Sequence, residues 1–151
     1  MEAWLDVLAA TDIAQWVRFS RWGYAAINTV HVLGIALLIG SIIPLDLKLL
    51  GLWRRLAITP LAEVLVPVAI AGLIISVISG SLLFLAGPND YLALNVFLFK
   101  ILFITLAVAN AVNFHWRIDY SAGKNALRLV GGVSLLLWLC ALIAGRLVAY
   151  I

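Results

Sequence analysis

Four stretches of this chain stay apolar for longer than a helix needs to cross a bilayer, and nothing else in the sequence constrains the fold as strongly. Residues 22–45 contain no Asp, Glu, Lys or Arg, only His31; residues 64–86 are likewise uncharged. Residues 91–116 are interrupted by Lys100 and His115, and residues 129–151 by Arg146 alone. At a rise of about 1.5 Å per residue, about 20 such residues cover a hydrocarbon core of about 30 Å. Composition agrees. Of 151 residues, 66% are hydrophobic and 11% charged, with a mean hydropathy of +1.16. A water-soluble domain sits nearer about 45–50% and about 25%, so a soluble globule is excluded. Disorder, collagen and a disulfide scaffold are excluded too, since the one cysteine, Cys140, lies inside an apolar run. The sequence predicts an all-α integral membrane protein, a single domain over 1–151 built as a four-helix up-down bundle. Its spans are expected at about 22–45, 62–86, 91–116 and 127–150.

Residues 2–20 mix Trp4, Leu5, Leu8, Ile13, Trp16, Val17 and Phe19 with Glu2, Asp6, Asp12 and Arg18. Apolar positions three and four apart predict an N-terminal amphipathic helix lying in the interface, with Thr11-Asp12 as a cap that splits it. The opening MEAWLD is acidic and leads to no short apolar region with a small-residue cleavage site, so no cleavable signal peptide is expected. The net charge of +3 brings no nucleic-acid partner into view, because in so apolar a chain cations set orientation. Lys48, Arg54 and Arg55 lie in one loop, and Arg117, Lys124 and Arg128 in another that must share its side. Arg18 and Arg21 are the opposing cations, and the turn 87–90 has none. The expectation is a bacterial inner-membrane protein with both basic loops cytoplasmic and both termini periplasmic. Trp4, Trp16, Trp22, Trp53 and Trp116 fall where an aromatic belt would anchor helix ends.

Small and polar residues mark the faces that should turn inward. They are Tyr24, Asn28, His31, Gly34 and Ser41 in the first span, and Gly72, Ser76 and Gly80 in the second. In the third they are Lys100, Ala107, Asn110 and Phe114; in the fourth, Gly131, Ser134, Trp138, Ala141 and Gly145. Asn28, Asn110, Asn113 and the serines are expected to bond to neighbouring helices, and Pro67 to bend the start of its span. A faint repeat sets 78–82 beside 143–147, and a similar offset lays His31 over Lys100 and Asp46 over His115. Apolar low-complexity sequence also produces such matches by chance.

An ionisable group in the hydrocarbon costs about 2.5–3.5 kcal/mol on insertion scales, which makes such groups candidates for function. His31 and Lys100 both lie about nine residues from the outer end of a span, roughly 14 Å deep at the helical rise. Arg146 reaches the same outer half, and no carboxylate shares that depth. A pocket of His31, Lys100 and Arg146 with Asn28 would suit haem propionates or a quinone head. Simple alternatives exist: snorkelling for Arg146 and Lys100, and a structural hydrogen bond for His31. Asp46, Glu63 and His115 with Lys48, Arg54 and Arg117 read as a solvated salt-bridge network at the cytoplasmic edge.

HVLGIALLIGSIIPLDLKLLG (31–51), NVFLFK (95–100) and SLLLWLCALIAGRLVAY (134–150) resemble an uncharacterised bacterial family of small four-helix inner-membrane proteins. That resemblance implies the fold and no activity. More remotely, a His followed by Leu-Gly early in the first span is similar to the copper-resistance D and di-haem cytochrome b superfamily, which holds b haems between paired histidines. It implies haem b, with His31 as the iron ligand. The second histidine, His115, lies roughly 22 Å away in depth at 1.5 Å per residue, so the two cannot be opposite ligands of one haem. No zinc-type cluster, copper relay or phosphate loop is present.

Three functions remain at this point. The first is a non-catalytic membrane subunit or anchor, more plausible than an enzyme, of a larger complex, redox-linked or otherwise, with a membrane or periplasmic protein partner or a second copy of itself. The second is a single b-haem or quinone-binding electron-transfer protein using His31, Lys100, Arg146 and Asn28. The third is an oligomeric carrier or channel for a small anion.

Overall fold

The computed structural model describes residues 7, 10–118, 120, 123–148 and 150, and all regular structure among them is helical. Thr11 opens the first helix, α1 (Asp12–Phe19), its hydroxyl accepting from the Ala14 N–H at 3.4 Å. Most of the expected helical stretch before Thr11, with Trp4, lies outside the described residues. Ala14 and Val17 are buried where α1 packs on the helices that follow, Ile13 and Phe19 point away from the protein, and Trp16, though partly exposed, lies against Gly23. Small residues inward and large apolar residues outward is the distribution of a helix lying in a membrane interface.

Ser20 caps α2 (Arg21–Leu50), accepting from the Gly23 N–H at 3.0 Å. Gly51 closes it at φ +107°, where its N–H reaches the Leu47 and Lys48 carbonyls and where a side chain would be strained. Then follow α3 (Ile58–Leu85), the short α4 (Pro88–Ala93), α5 (Asn95–Asn113) and α6 (Lys124–Leu147). Between α5 and α6 the chain makes a π-helical turn, Phe114–Ile118. Pro44 sits inside α2 and Pro67 inside α3, each removing one backbone donor from the helix.

The third long helix begins at Asn95, and Tyr91 belongs to α4 instead. Phe84, Tyr91 and Phe97 pack with ring centroids 5.5–6.1 Å apart, folding α4 over the connection between α3 and α5. This cluster lies outside the four long helices' spans at Tyr91, whose phenol is pushed up to about 12 by burial, with Tyr24 and Asp90 adding to the effect.

Four helices are long and apolar enough to cross a membrane: α2, α3, α5 extended to Trp116, and α6. Only 6% to 22% of each apolar stretch is buried, so few of the apolar side chains are enclosed in a core. Trp22 and Trp116 are more than four-fifths exposed.

Glycines set the helix contacts. A Cβ on Gly72 of α3 would lie 2.5 Å from the Leu38 backbone nitrogen and 2.8 Å from the Gly34 carbonyl oxygen. One on Gly131 of α6 would lie 2.7 Å from Leu49 Cβ. The sequence expected Gly72 to allow close approach, and it does so against α2. Rising numbers on α2 meet falling numbers on α3 (His31 with Ser79, Gly34 with Ser76, Leu38 with Gly72). Along the molecule the main backbone contacts run α3 to α2, α2 to α6 and α6 to α5, while α3 and α5 approach each other little and meet through the stacked Phe84 and Phe97 rings. Two small cores fill the contact between α2, α5 and α6: Leu38, Ala107 and Trp138, and nearer the π turn Leu49, Phe114 and Val130. Two clefts lie along the gap between α3 and α5.

Candidate functional site

The two clefts lie one above the other, with Leu73 and Trp138 lining both. The cleft on the side of the chain termini, here the outer cleft, has a volume of about 330 Å³ and is walled by apolar residues such as Leu38, Phe84, Phe97 and Ile104. Lys100 is its charged lining residue, and no carboxylate joins it. His31 stands at its side. Imidazole Nδ1 is 3.0 Å from Ser79 Oγ, and the Ser79 hydroxyl donates to the Ile75 carbonyl at 2.5 Å. A hydroxyl has one proton, so Ser79 must accept from Nδ1–H. Nε2 of His31 is therefore the nitrogen with the lone pair. The Ser76 carbonyl also faces the ring, and the Lys100 ammonium is near enough to act on it electrostatically.

Glycines make room for both groups. A Cβ on Gly80 would lie 3.0 Å from His31 Cε1, and one on Gly145 would lie 3.4 Å from Lys100 Cε. His31 on α2 thus lies over a glycine of α3, and Lys100 on α5 over a glycine of α6. The two groups pair off in the same way as the segments of the faint repeat.

The structure brings His31 and Lys100 together but not the other two expected site residues. Arg146 is exposed, stacks on Tyr150 with its guanidinium 4.6 Å from the ring centroid, and hydrogen-bonds the Tyr150 hydroxyl. Asn28 is exposed, as are Asn113 and Tyr24, so the inward stripe of α2 does not extend to its outer end. Trp16 of α1 packs on Gly23 there and makes Gly23 the buried position. Asn110 does turn inward, donating to the Val130 carbonyl at 3.3 Å. Of the serines, Ser41, Ser79 and Ser134 are buried, whereas Ser81 is exposed and donates to the Val77 carbonyl of its own helix.

The inner cleft, about 340 Å³, is lined by Asp46, Asn110, His115, Ser134 and four aromatic residues, Phe114, Trp116, Tyr120 and Trp138. Asp46 is 3% exposed. Ser134 of α6 donates to its carboxylate, and the other oxygen, Oδ2, has no hydrogen-bond partner among the described residues. The solvated salt-bridge network expected around Asp46 does not form. Gly131 draws α6 so close to α2 that Asp46 is enclosed between them. Lys48 and Arg54 instead line a separate basic hollow of about 540 Å³ with Lys124 and Arg128, where Lys48 Nζ donates to the Trp53 carbonyl at 2.9 Å. Glu63 is exposed.

The sequence missed the enclosure of Asp46 and the π-helical turn. The first had a signal in the spacing of Gly131 and Ser134, which places a gap and a donor one turn apart. The second had none, since FHWRI contains no residue that forces the change. No group of three or more His, Cys, Asp or Glu able to hold a metal ion occurs among the described residues. Searches against known protein families, curated proteins and solved structures return no match.

Proposed function

We propose that this chain is a multi-pass membrane protein, an up-down bundle with the basic loops in the cytoplasm and the termini periplasmic, that binds the polar head of a lipid-soluble quinone in the outer cleft. One observation carries the reading: the His31–Ser79–Ile75 hydrogen-bond chain leaves the lone pair on Nε2 of an imidazole that packs on Gly80 at the edge of a largely apolar cleft, which Lys100 lines. A quinone carbonyl accepts a hydrogen bond from an ammonium, and a quinol hydroxyl donates one to an imidazole lone pair. The separation of α3 and α5 leaves a lateral path for an isoprenoid tail from the hydrocarbon. Lys100 supplies orientation and charge, and His31 the proton acceptor. Haem b fits less well, because the outer cleft has a single imidazole and His115 lines the other cleft. Placement in a bacterial inner membrane rests on the distribution of Lys and Arg and on the family resemblance.

The test is titration of the detergent-purified chain with a short-tailed ubiquinone. Saturable binding is expected, weakened about ten-fold or more in both His31→Ala and Lys100→Met, since each removes a charged or polar contact in a desolvated site. Affinity unchanged in both variants would overturn the assignment. A Soret band in the purified protein, lost in His31→Ala, would replace the quinone by a haem.

A second reading keeps the chain as a membrane subunit, and the open gap between α3 and α5 favours it, because a partner helix would cover the apolar walls. Migration of the natively expressed protein as a lone chain in mild detergent would remove that reading.

A further inference from the structure

We infer that the inner cleft is a second, independent binding site, and that it takes an amphiphilic organic ammonium ion. Asp46 is 97% enclosed, by its 3% exposure, and only one of its oxygens is satisfied, by Ser134. An ionised carboxylate left in that state is costly unless a cation joins it. Among the described residues no Lys or Arg lines this cleft: Lys48 and Arg54 line the basic hollow, Lys100 lines the outer cleft, and the lining imidazole of His115 makes no hydrogen bond to Oδ2. The remaining lining of the cleft identifies the missing cation. Phe114, Tyr120 and Trp138 form aromatic walls, with the Phe114 and Tyr120 rings edge to face at 5.1 Å between centroids. Aromatic faces attract an ammonium ion and accept the hydrocarbon attached to it. A bare metal ion would need several oxygen or nitrogen ligands, and no cluster of that kind is present among the described residues. The neutral alternative is a protonated Asp46 with nothing bound. That state would leave the aromatic walls without a charge to recognise and would show no preference for a cation over its neutral analogue.

The experiment compares 4-phenylbutylammonium with 4-phenylbutanol, which has the same apolar body and no charge, on the full chain in detergent at neutral pH. The ammonium is expected to bind at least ten-fold tighter than the alcohol. In Asp46→Asn, which keeps the shape and a hydrogen bond to Ser134, the preference should disappear while the alcohol is unaffected. Equal affinity for the two compounds in the unaltered protein, or a preference that survives in Asp46→Asn, would overturn the inference. If Asp46→Asn does not fold, the unaltered protein still decides the matter. Modification of Asp46 by the apolar reagent dicyclohexylcarbodiimide, read as a mass increase on that residue, should be slowed by the ammonium and not by the alcohol. Equal rates with both would overturn it. The quinone reading of the outer cleft is untouched by either result.

Discussion

The outer and inner clefts share Leu73 and Trp138 and open along the same gap, yet they treat their polar groups in opposite ways. At the outer cleft His31 lies over Gly80 and Lys100 over Gly145, and the histidine is oriented by Ser79, while the lining Ser76 hydroxyl has no hydrogen-bond partner among the described residues. Lys100 lines the space, and the His31 imidazole, packed on Gly80, stands at its edge. The inner cleft holds a carboxylate squeezed between α2 and α6 by Gly131, with one oxygen bonded and one orphaned. On the two proposed readings, the same helix geometry would serve ligands of opposite character, electron-rich oxygen in one cleft and a cation in the other. Side-chain chemistry makes the choice, since the apolar walls are alike.

The comparison stands on the backbone contacts that hold the gap open, so breaking those should have the largest effect. Gly72→Leu would drive a side chain into the Leu38 nitrogen and the Gly34 carbonyl, neither of which can move without parting α2 from α3. Overpacking of this kind costs about 3 kcal/mol or more, and the expected outcome is a melting temperature lowered by roughly 10 °C with both binding activities lost. Gly40 is the control. A Cβ there meets nothing within 4 Å, so Gly40→Ala should melt close to the unaltered protein. Trp138→Ala should follow Gly72→Leu in severity. It removes the wall between the clefts and a core residue 5% exposed, at a cost of about 3–5 kcal/mol if the site cannot collapse. Ligands of the two clefts should then compete in Trp138→Ala and bind independently in the unaltered protein, which isothermal titration of one in the presence of the other would reveal.

Much of the fold was legible before any coordinates, and the pattern of success has a physical cause. The stripe Gly131, Ser134, Trp138 and Ala141 is buried as its spacing predicts, and so are Ala107 and Phe114 on the facing helix. Mid-span, a small residue that recurs with other small or polar residues on one helix face reports the contact, whereas the isolated Gly40 meets nothing within 4 Å. At helix ends this logic weakens, because a short element can cover a face that the period alone leaves bare. Trp16 does so at Gly23, and the inward stripe shifts by one residue from the expected Tyr24. Asp46 was the more instructive case. Its neighbours in sequence, Lys48 and Arg54, suggested a solvated network, but a helix places residues two apart on different faces. The partner that encloses Asp46 comes from α6, far along the chain. Arg146 shows the converse: sequence depth suggested a pocket, yet Tyr150 four residues on captures the guanidinium at the helix surface.

A finer contrast lies in how each cleft orients its polar group. Ser79→Ala removes the acceptor that fixes the His31 tautomer, while the Ser76 carbonyl still faces the ring. A single hydrogen bond of this kind is worth about 1 kcal/mol, so quinone affinity should fall about five-fold, less than in His31→Ala. Ser134→Ala strips Asp46 of its one donor and leaves both oxygens without a side-chain donor. There the bound ammonium becomes the only group that can satisfy the carboxylate. Stabilisation by the ammonium, read as the rise in melting temperature on adding it, should therefore be larger in Ser134→Ala than in the unaltered protein. A smaller rise would mean that Ser134 serves to hold Asp46 in position, and the contrast between an oriented outer group and an orphaned inner one would fail.

The smallest effects should come from the two expected site residues that the clefts leave out. Asn28 is exposed on α2, and Arg146 is exposed and held by Tyr150. Surface substitutions away from a cap, a core or a buried pair change stability little. Asn28→Ala and Arg146→Gln should therefore leave both ligand affinities within a factor of about two, which is near the resolution of a titration. Arg146 offers the sharper of these tests, because its charge shares the outer half of the chain with Lys100. If Arg146→Gln weakened quinone binding as much as Lys100→Met does, long-range positive charge rather than a placed ammonium would be holding the ligand. Added salt separates the two causes, since an exposed charge is screened over about 10 Å at 0.1 M while a desolvated contact is not. Insensitivity of quinone affinity to salt and to Arg146→Gln together would fix Lys100 as the local donor, and with it the chemical difference between the outer cleft and the carboxylate-bearing cleft beneath it.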